Sequence, residues 1–200
     1  DEDDPTWRAA RASLPMSPKI IASAEPREDS VGAKFNRLAA IYEADLYVMG
    51  VDDVGLATKG WDERLCETAS LFTDGVGLIY MGKEPNGEPM PSMQCATKRL
   101  VELMGDFVNP YFPSYWWCNA WLDEIGQLIG RILWTDVQTT YPMPLPATLK
   151  RDLPFWAWFF DIVRPLRMEI ADKIINAQQD MPARIKQVRD DWPQLIAHVN

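Results

Sequence analysis

Asp52 and Asp53 are the side chains of this sequence best suited to chemistry. They follow the apolar run Leu46-Tyr47-Val48-Met49. That run has the length of a strand, which puts the pair at a strand's carboxyl end, where open α/β sheets bind ligands. Adjacent carboxylates repel each other unless a cation, a donor array or water stabilises the charge. Mg²⁺ and Mn²⁺ prefer carboxylate, phosphate and water oxygens, so the pair is a candidate cation site. A turn after a strand is the competing reading, because aspartate favours turns. Other reaction types find little support. The one histidine is His198, which argues against Ser-His-Asp and Cys-His nucleophiles. Cys66, Cys95 and Cys118 lie far apart and form no CxxC pair, which argues against structural zinc.

The composition narrows the classes further. The sequence has 200 residues, 47% of them hydrophobic, and a formal net charge of −9. Such a chain can bury a sizeable core. Its acidity argues against nucleic acid as a partner, since backbone binding needs basic surface. It leaves room for a nucleotide held through a divalent cation. There is no apolar run of membrane-spanning length. Three widely spaced cysteines read as reduced, buried and inert thiols, which suggests a cytoplasmic protein. Nine tryptophans fill cores, but tryptophan also lines sugar- and base-binding clefts.

The pair needs elements to hold it. Lys19 to Ala24 reads as a short strand. Ser30 is a candidate cap for a helix over Val31 to Tyr42, with Val31, Phe35, Leu38, Ala39 and Tyr42 at helical spacing. Leu46 to Met49 is the strand that carries the carboxylates. Asp62 is a candidate cap for a helix ending near Phe72. Val76 to Met81 reads as a central strand. Lys83 to Pro91 reads as a loop, because it holds three prolines, an asparagine and a glycine. Helices are expected over Ala96 to Met104 and over Trp117 to Ile129, the second ended by Gly130. Ile132 to Val137 reads as a further strand. Pro142, Pro144 and Pro146 mark a rigid connector. Beyond it, Trp156, Phe159, Val163, Leu166, Ile170 and Ile174 form a helical stripe that Pro165 kinks or divides. Pro182 to Asn200 reads as a final polar helix. The alternation gives an α/β fold with a mixed, mainly parallel sheet. Residues 1–140 form the sheet domain. Residues 141–200 form the connector and C-terminal helices that pack on it, whose aromatic stripe also offers a homodimer surface.

Four blocks together resemble family 2-like glycosyltransferases of the GT-A fold. They are Ser30-Val31-Gly32-Ala33-Lys34-Phe35-Asn36-Arg37, Ala44-Asp45-Leu46-Tyr47, Val51-Asp52-Asp53-Val54 and Gly60-Trp61-Asp62. The segment from Tyr111 to Ile125 is similar to the family's acceptor-side region, and Gly130-Arg131 and a strand follow it as in the family. The resemblance covers roughly residues 1 to 137. It implies transfer of a sugar from a nucleoside-diphosphate donor to an acceptor hydroxyl, assisted by Mn²⁺ or Mg²⁺ and inverting at the sugar. It implies Asp53 as first metal contact and Asp52 as contact to metal or ribose. Asp1 and Asp3 would meet base or ribose. Arg27, Lys34 and Asn36 are further donor-side candidates, and Trp116 and Trp117 are acceptor-side candidates, although Trp117 and Trp121 also fit core positions. The acidic opening Asp1-Glu2-Asp3-Asp4 resembles the end of the family's second strand, so the family's first strand and helix are expected upstream of residue 1.

An inverting transferase needs a general base for the acceptor hydroxyl. The family places an acid where this sequence has Asn119, and a neutral amide cannot take that proton. Asp123 and Glu124 are the alternatives, and Asp123 is favoured because it lies one turn from Asn119 on the same helical face. Two other functions remain open: a catalytically degenerate, glycosyltransferase-like binding domain, and a nucleotidyltransferase with the same sheet and metal logic.

Overall fold

A computed structural model describes residues 30–50, 54–83, 89–140 and 152–178. The first helix, α1 (Val31–Ile41), starts as its sequence dictates. Ser30 is the N-cap, and its hydroxyl accepts from Ala33 N–H at 3.0 Å. Strand β1 (Leu46–Met49) follows, then the short β2 (Gly55–Leu56). Helix α2 (Trp61–Ser70) is entered through Gly60 at φ 71°, a left-handed conformation that glycine adopts without strain. Asp62 therefore lies inside the first turn and is not the cap. There it still complements the positive end of the helix dipole.

Strands β3 (Leu78–Lys83) and β4 (Pro89–Thr97) form an antiparallel pair, with a register shift between Met81 and Lys83. Helix α3 (Lys98–Met104) begins directly after β4, with Thr97 as its N-cap. Helix α4 (Tyr115–Ile129) ends at Gly130, φ 64°. Strand β5 (Ile132–Trp134) and the short β6 (Thr139–Thr140) come next. Helices α5 (Leu153–Ile162) and α6 (Arg164–Ala177) meet at Val163. Pro165 thus divides the stripe: proline fits the first turn of a helix, whose N–H groups lack intrahelical partners, and fits poorly further in.

The main sheet has the order β1-β4-β3-β5, and β2 pairs with β6 in a second, two-stranded sheet. The fold is mixed α/β. The expected predominance of parallel pairing is corrected. β1, β3 and β5 run in one direction, but β4 runs against them, so β1–β4 and β4–β3 are antiparallel and only β3–β5 is parallel. The residues expected to be loop and helix start, Pro89 to Thr97, form the strand inserted between β1 and β3. Both prolines lie beyond the reach of β1, whose pairing stops at Gln94. Their missing N–H groups therefore cost no bond on that side.

Alternation along β3 divides the core in two. Leu78 and Tyr80 face a large cluster that includes Leu100, Phe112, Trp121, Ile125 and Ile174. Ile79 and Met81 face a smaller cluster with Leu65, Phe72, Cys95 and Val137. Phe112 is the hub of the larger side. Its ring lies 5.9 Å from both Trp121 and Phe159 and 6.1 Å from Phe160. The C-terminal helices thus pack on the sheet's own core. Among the described residues no helix is long and apolar enough to cross a membrane. Phe155, Trp158 and Ile162 of α5 are exposed.

Candidate functional site

The direction of the strands brings the carboxyl ends of β1, β3 and β5 to one edge. Asp52 and Asp53 lie outside the described residues, as do Asp1, Asp3 and Arg27. Strand β1 ends at Met49, three positions before Asp52. Met49 pairs with Gln94, Gln94 with Tyr80, and Tyr80 with Trp134. One row across the sheet therefore runs from the end of β1 to Tyr80. Strands are spaced by about 4.8 Å, so β1 and β3, with β4 between them, are about 10 Å apart.

Tyr80 connects this row to α4. Its hydroxyl donates to Asp123 Oδ1, and Gln127 Nε2 donates to Asp123 Oδ2 at 2.9 Å. Burial and the Asp123 carboxylate push the Tyr80 hydroxyl well above the usual tyrosine range, opposed by the Gln94 amide. The phenol therefore keeps its proton and acts as a donor. Gln94 is fully buried. Among the described residues neither of its amide atoms has a hydrogen-bond partner of good geometry. The half-exposed Trp134 closes the outer side, its ring edge-on to Tyr80 at 4.9 Å. Asp123 also lines a cleft of about 450 Å³ between α4, α5 and α6, with Glu124, Gln127, Phe160 and Arg164.

Glu124 has a different setting, although it is next in sequence. Arg164 Nε donates to its Oε1 at 2.8 Å and Arg167 Nε to its Oε2 at 2.6 Å. Both oxygens of Glu124 are thus engaged by guanidinium groups, whereas Asp123 is held by a phenol and an amide. Arg167 is fully buried, with its guanidinium carbon 3.6 Å from the centre of the Phe160 ring.

The other candidates are spread over α1 and α4. Asn36 grips the backbone of Val108: Nδ2 donates to Val108 O at 2.7 Å, and Oδ1 accepts from Val108 N–H at 2.9 Å. Ser30 Oγ donates to Pro110 O, and Gly32 N–H donates to Phe112 O at 3.0 Å. The α1 block thus anchors the loop that leads into α4, and the Asn36 amide is engaged there. Lys34 is half-buried on the same helix, and Asn119 is half-buried on α4. Trp117 packs on Phe160 at 5.6 Å and on Phe112 at 6.4 Å, in the aromatic core. The side chain of Trp116 lies outside the described residues. Among the described residues no group of three or more histidine, cysteine, aspartate or glutamate side chains is placed to hold a metal. Cys95 and Cys118 are buried as expected, but Cys66 is exposed on α2, because α2 turns only one face to the sheet.

Tyr80, Gln94, Gln127 and Arg167 were not singled out by the sequence. Tyr80 and Gln94 occupy strand positions that read as core or loop, and their role appears only when β4 joins the sheet. The one sequence signal available was Gln127, one helical turn after Asp123. No protein-family model, curated protein or solved structure matches this chain.

Proposed function

We propose that this chain is a glycosyltransferase domain of the GT-A type that moves a sugar from a nucleoside-diphosphate donor to an acceptor hydroxyl. One observation carries the reading: Tyr80, in the strand row that reaches the end of β1, bonds Asp123 of α4, and Asp52-Asp53 follow β1 in the sequence. Asp123 lines the cleft between α4, α5 and α6, and open α/β sheets bind ligands beyond the carboxyl ends of their strands. By chemistry, two adjacent carboxylates fit Mn²⁺ or Mg²⁺. The bound cation would neutralise charge on the diphosphate. The chain's own residues supply the rest. Asp52 and Asp53 hold the donor side. Asp123, oriented by Tyr80 and Gln127, accepts the proton of the attacking hydroxyl. Arg164 pairs with Glu124 beside the cleft.

Calorimetry with UDP- and GDP-sugars in the presence of Mn²⁺ tests this directly. Binding is expected for the wild-type chain and lost in the Asp52→Asn/Asp53→Asn variant. A chain that binds no nucleotide sugar would sink the proposal. A second reading, a binding domain without turnover, is favoured by Asn119 standing where the family has an acid. Sugar transfer that disappears in Asp123→Asn would eliminate it.

A further inference from the structure

We propose that Tyr80 is the positioning residue of this site: its hydroxyl, delivered from the buried strand row that ends β1, fixes the Asp123 carboxylate against the cleft. The inference rests on the glycosyltransferase reading, in which Asp123 takes the acceptor proton. Three observations support it. The first is reach. Tyr80 lies on the central strand β3 and is almost fully buried, so its ring cannot wander, and its edge-on contact with Trp134 at 4.9 Å fixes the ring further. A rigid platform is what a positioned base requires.

The second observation is that the two carboxylate oxygens have different partners. Oδ1 accepts from a buried phenol across 43 residues of sequence, and Oδ2 accepts from exposed Gln127 one turn away. A carboxylate on a helix has several accessible rotamers. The Tyr80 bond selects the one that points toward β3, whereas Gln127, exposed on the same helix, constrains it less. The third is Gln94. This fully buried amide lies next to Tyr80 in the same row, with neither polar atom given a partner of good geometry. Cross-strand pairing sets this amide beside Tyr80 on the same face of the sheet. The strand row thus presents the Tyr80 hydroxyl to Asp123 from a fixed, buried position.

The experiment uses the full chain. Tyr80→Phe keeps the ring and its packing on Trp134 and removes one oxygen. Sugar transfer with Mn²⁺ and the nucleotide sugar that binds is measured at saturating donor. The expected result is a fall in kcat of about tenfold to a hundredfold, the range for a misplaced catalytic group. KM for the donor and the donor dissociation constant are expected to stay within about twofold. An unchanged kcat overturns the inference. So does an equal loss in donor affinity, which marks a structural role. If Tyr80→Phe fails to fold, the assigned Tyr80 ring-carbon resonance of ¹³C-tyrosine-labelled protein is compared between wild type and Asp123→Asn. A shift on loss of the carboxylate supports the pair, and an unchanged resonance overturns it. A wild-type chain that binds donor but transfers no sugar defeats the reading of Asp123 as base, and the role of Tyr80 falls with it.

Discussion

Arg167 allows a quantitative test of how α6 is held to α4. Its side chain is fully buried, bonds Glu124 at 2.6 Å and the Phe160 carbonyl at 2.9 Å, and lies over the Phe160 ring at 3.6 Å and the Trp121 ring at 5.4 Å. Truncation to alanine removes one charged hydrogen bond of about 1.5–3 kcal/mol and one carbonyl bond of about 1 kcal/mol. It also removes a desolvated cation–π contact of about 2 kcal/mol and leaves a cavity. Against this stands the desolvation of the guanidinium, several kcal/mol per buried ion. That term is not fully repaid here, because among the described residues Nη2 has no hydrogen-bond partner. Burial accordingly pulls Arg167 below the usual arginine value, against the effect of Glu124. Glu124 keeps Arg164 as a partner and a fifth of its side-chain surface, so it is not orphaned by the change.

The balance predicts that Arg167→Ala costs about 2–4 kcal/mol. Arg167→Met, which refills the volume between Trp121 and Phe160 and escapes the desolvation term, should cost about 0–1 kcal/mol. Urea unfolding compares the two, and thermal unfolding should separate them by roughly 4–8 °C for a chain of this length. Equal losses of 3 kcal/mol or more, on the order expected when a buried charge is stranded, would show that the ion pair itself dominates. No loss in Arg167→Ala would show that this contact does not hold α6.

Three further outcomes follow from the same packing. A Cβ at Gly32 would lie 2.2 Å from the Asn109 carbonyl oxygen, so Gly32→Ala should cost about 1–3 kcal/mol and loosen the loop into α4; an unchanged unfolding midpoint would refute this. Burial pushes the thiols of Cys95 and Cys118 up to about 12, so a thiol reagent at neutral pH should modify Cys66 alone in the native chain and all three after denaturation. Lys98 holds the exposed Glu43 below the ordinary carboxylate value, and Glu43 raises Lys98. The Glu43 contribution is present above the unfolded carboxylate value and lost as pH falls through the folded one. The Lys98 contribution is present below the unfolded lysine value and lost as pH rises through the folded one. Glu43→Gln should slightly flatten the acid side of the stability profile below about pH 5. High salt should shrink the difference, as for any exposed pair.

Local signals were legible where the physics is local. The Ser30 cap, the strand at Leu46–Met49, the stop at Gly130 and the break at Pro165 each depend on residues within one turn of themselves, and each lies where the sequence places it. The different settings of Asp123 and Glu124 were not legible in the sequence: Glu124 is taken by two arginines of α6, 40 and 43 residues away. What the sequence could not settle is non-local. Pro89 and Pro91 read as loop, because local propensity cannot know that β1 stops short of them. The insertion of β4 then turned an expected mainly parallel sheet into a mainly antiparallel one. Tyr80 became the holder of Asp123 through a bond between residues 43 positions apart. Composition and spacing determined which residues could cap, break or carry charge. Only the tertiary structure decided which charges meet, because strand order and helix docking are fixed by burying apolar faces together, which no short window of sequence contains.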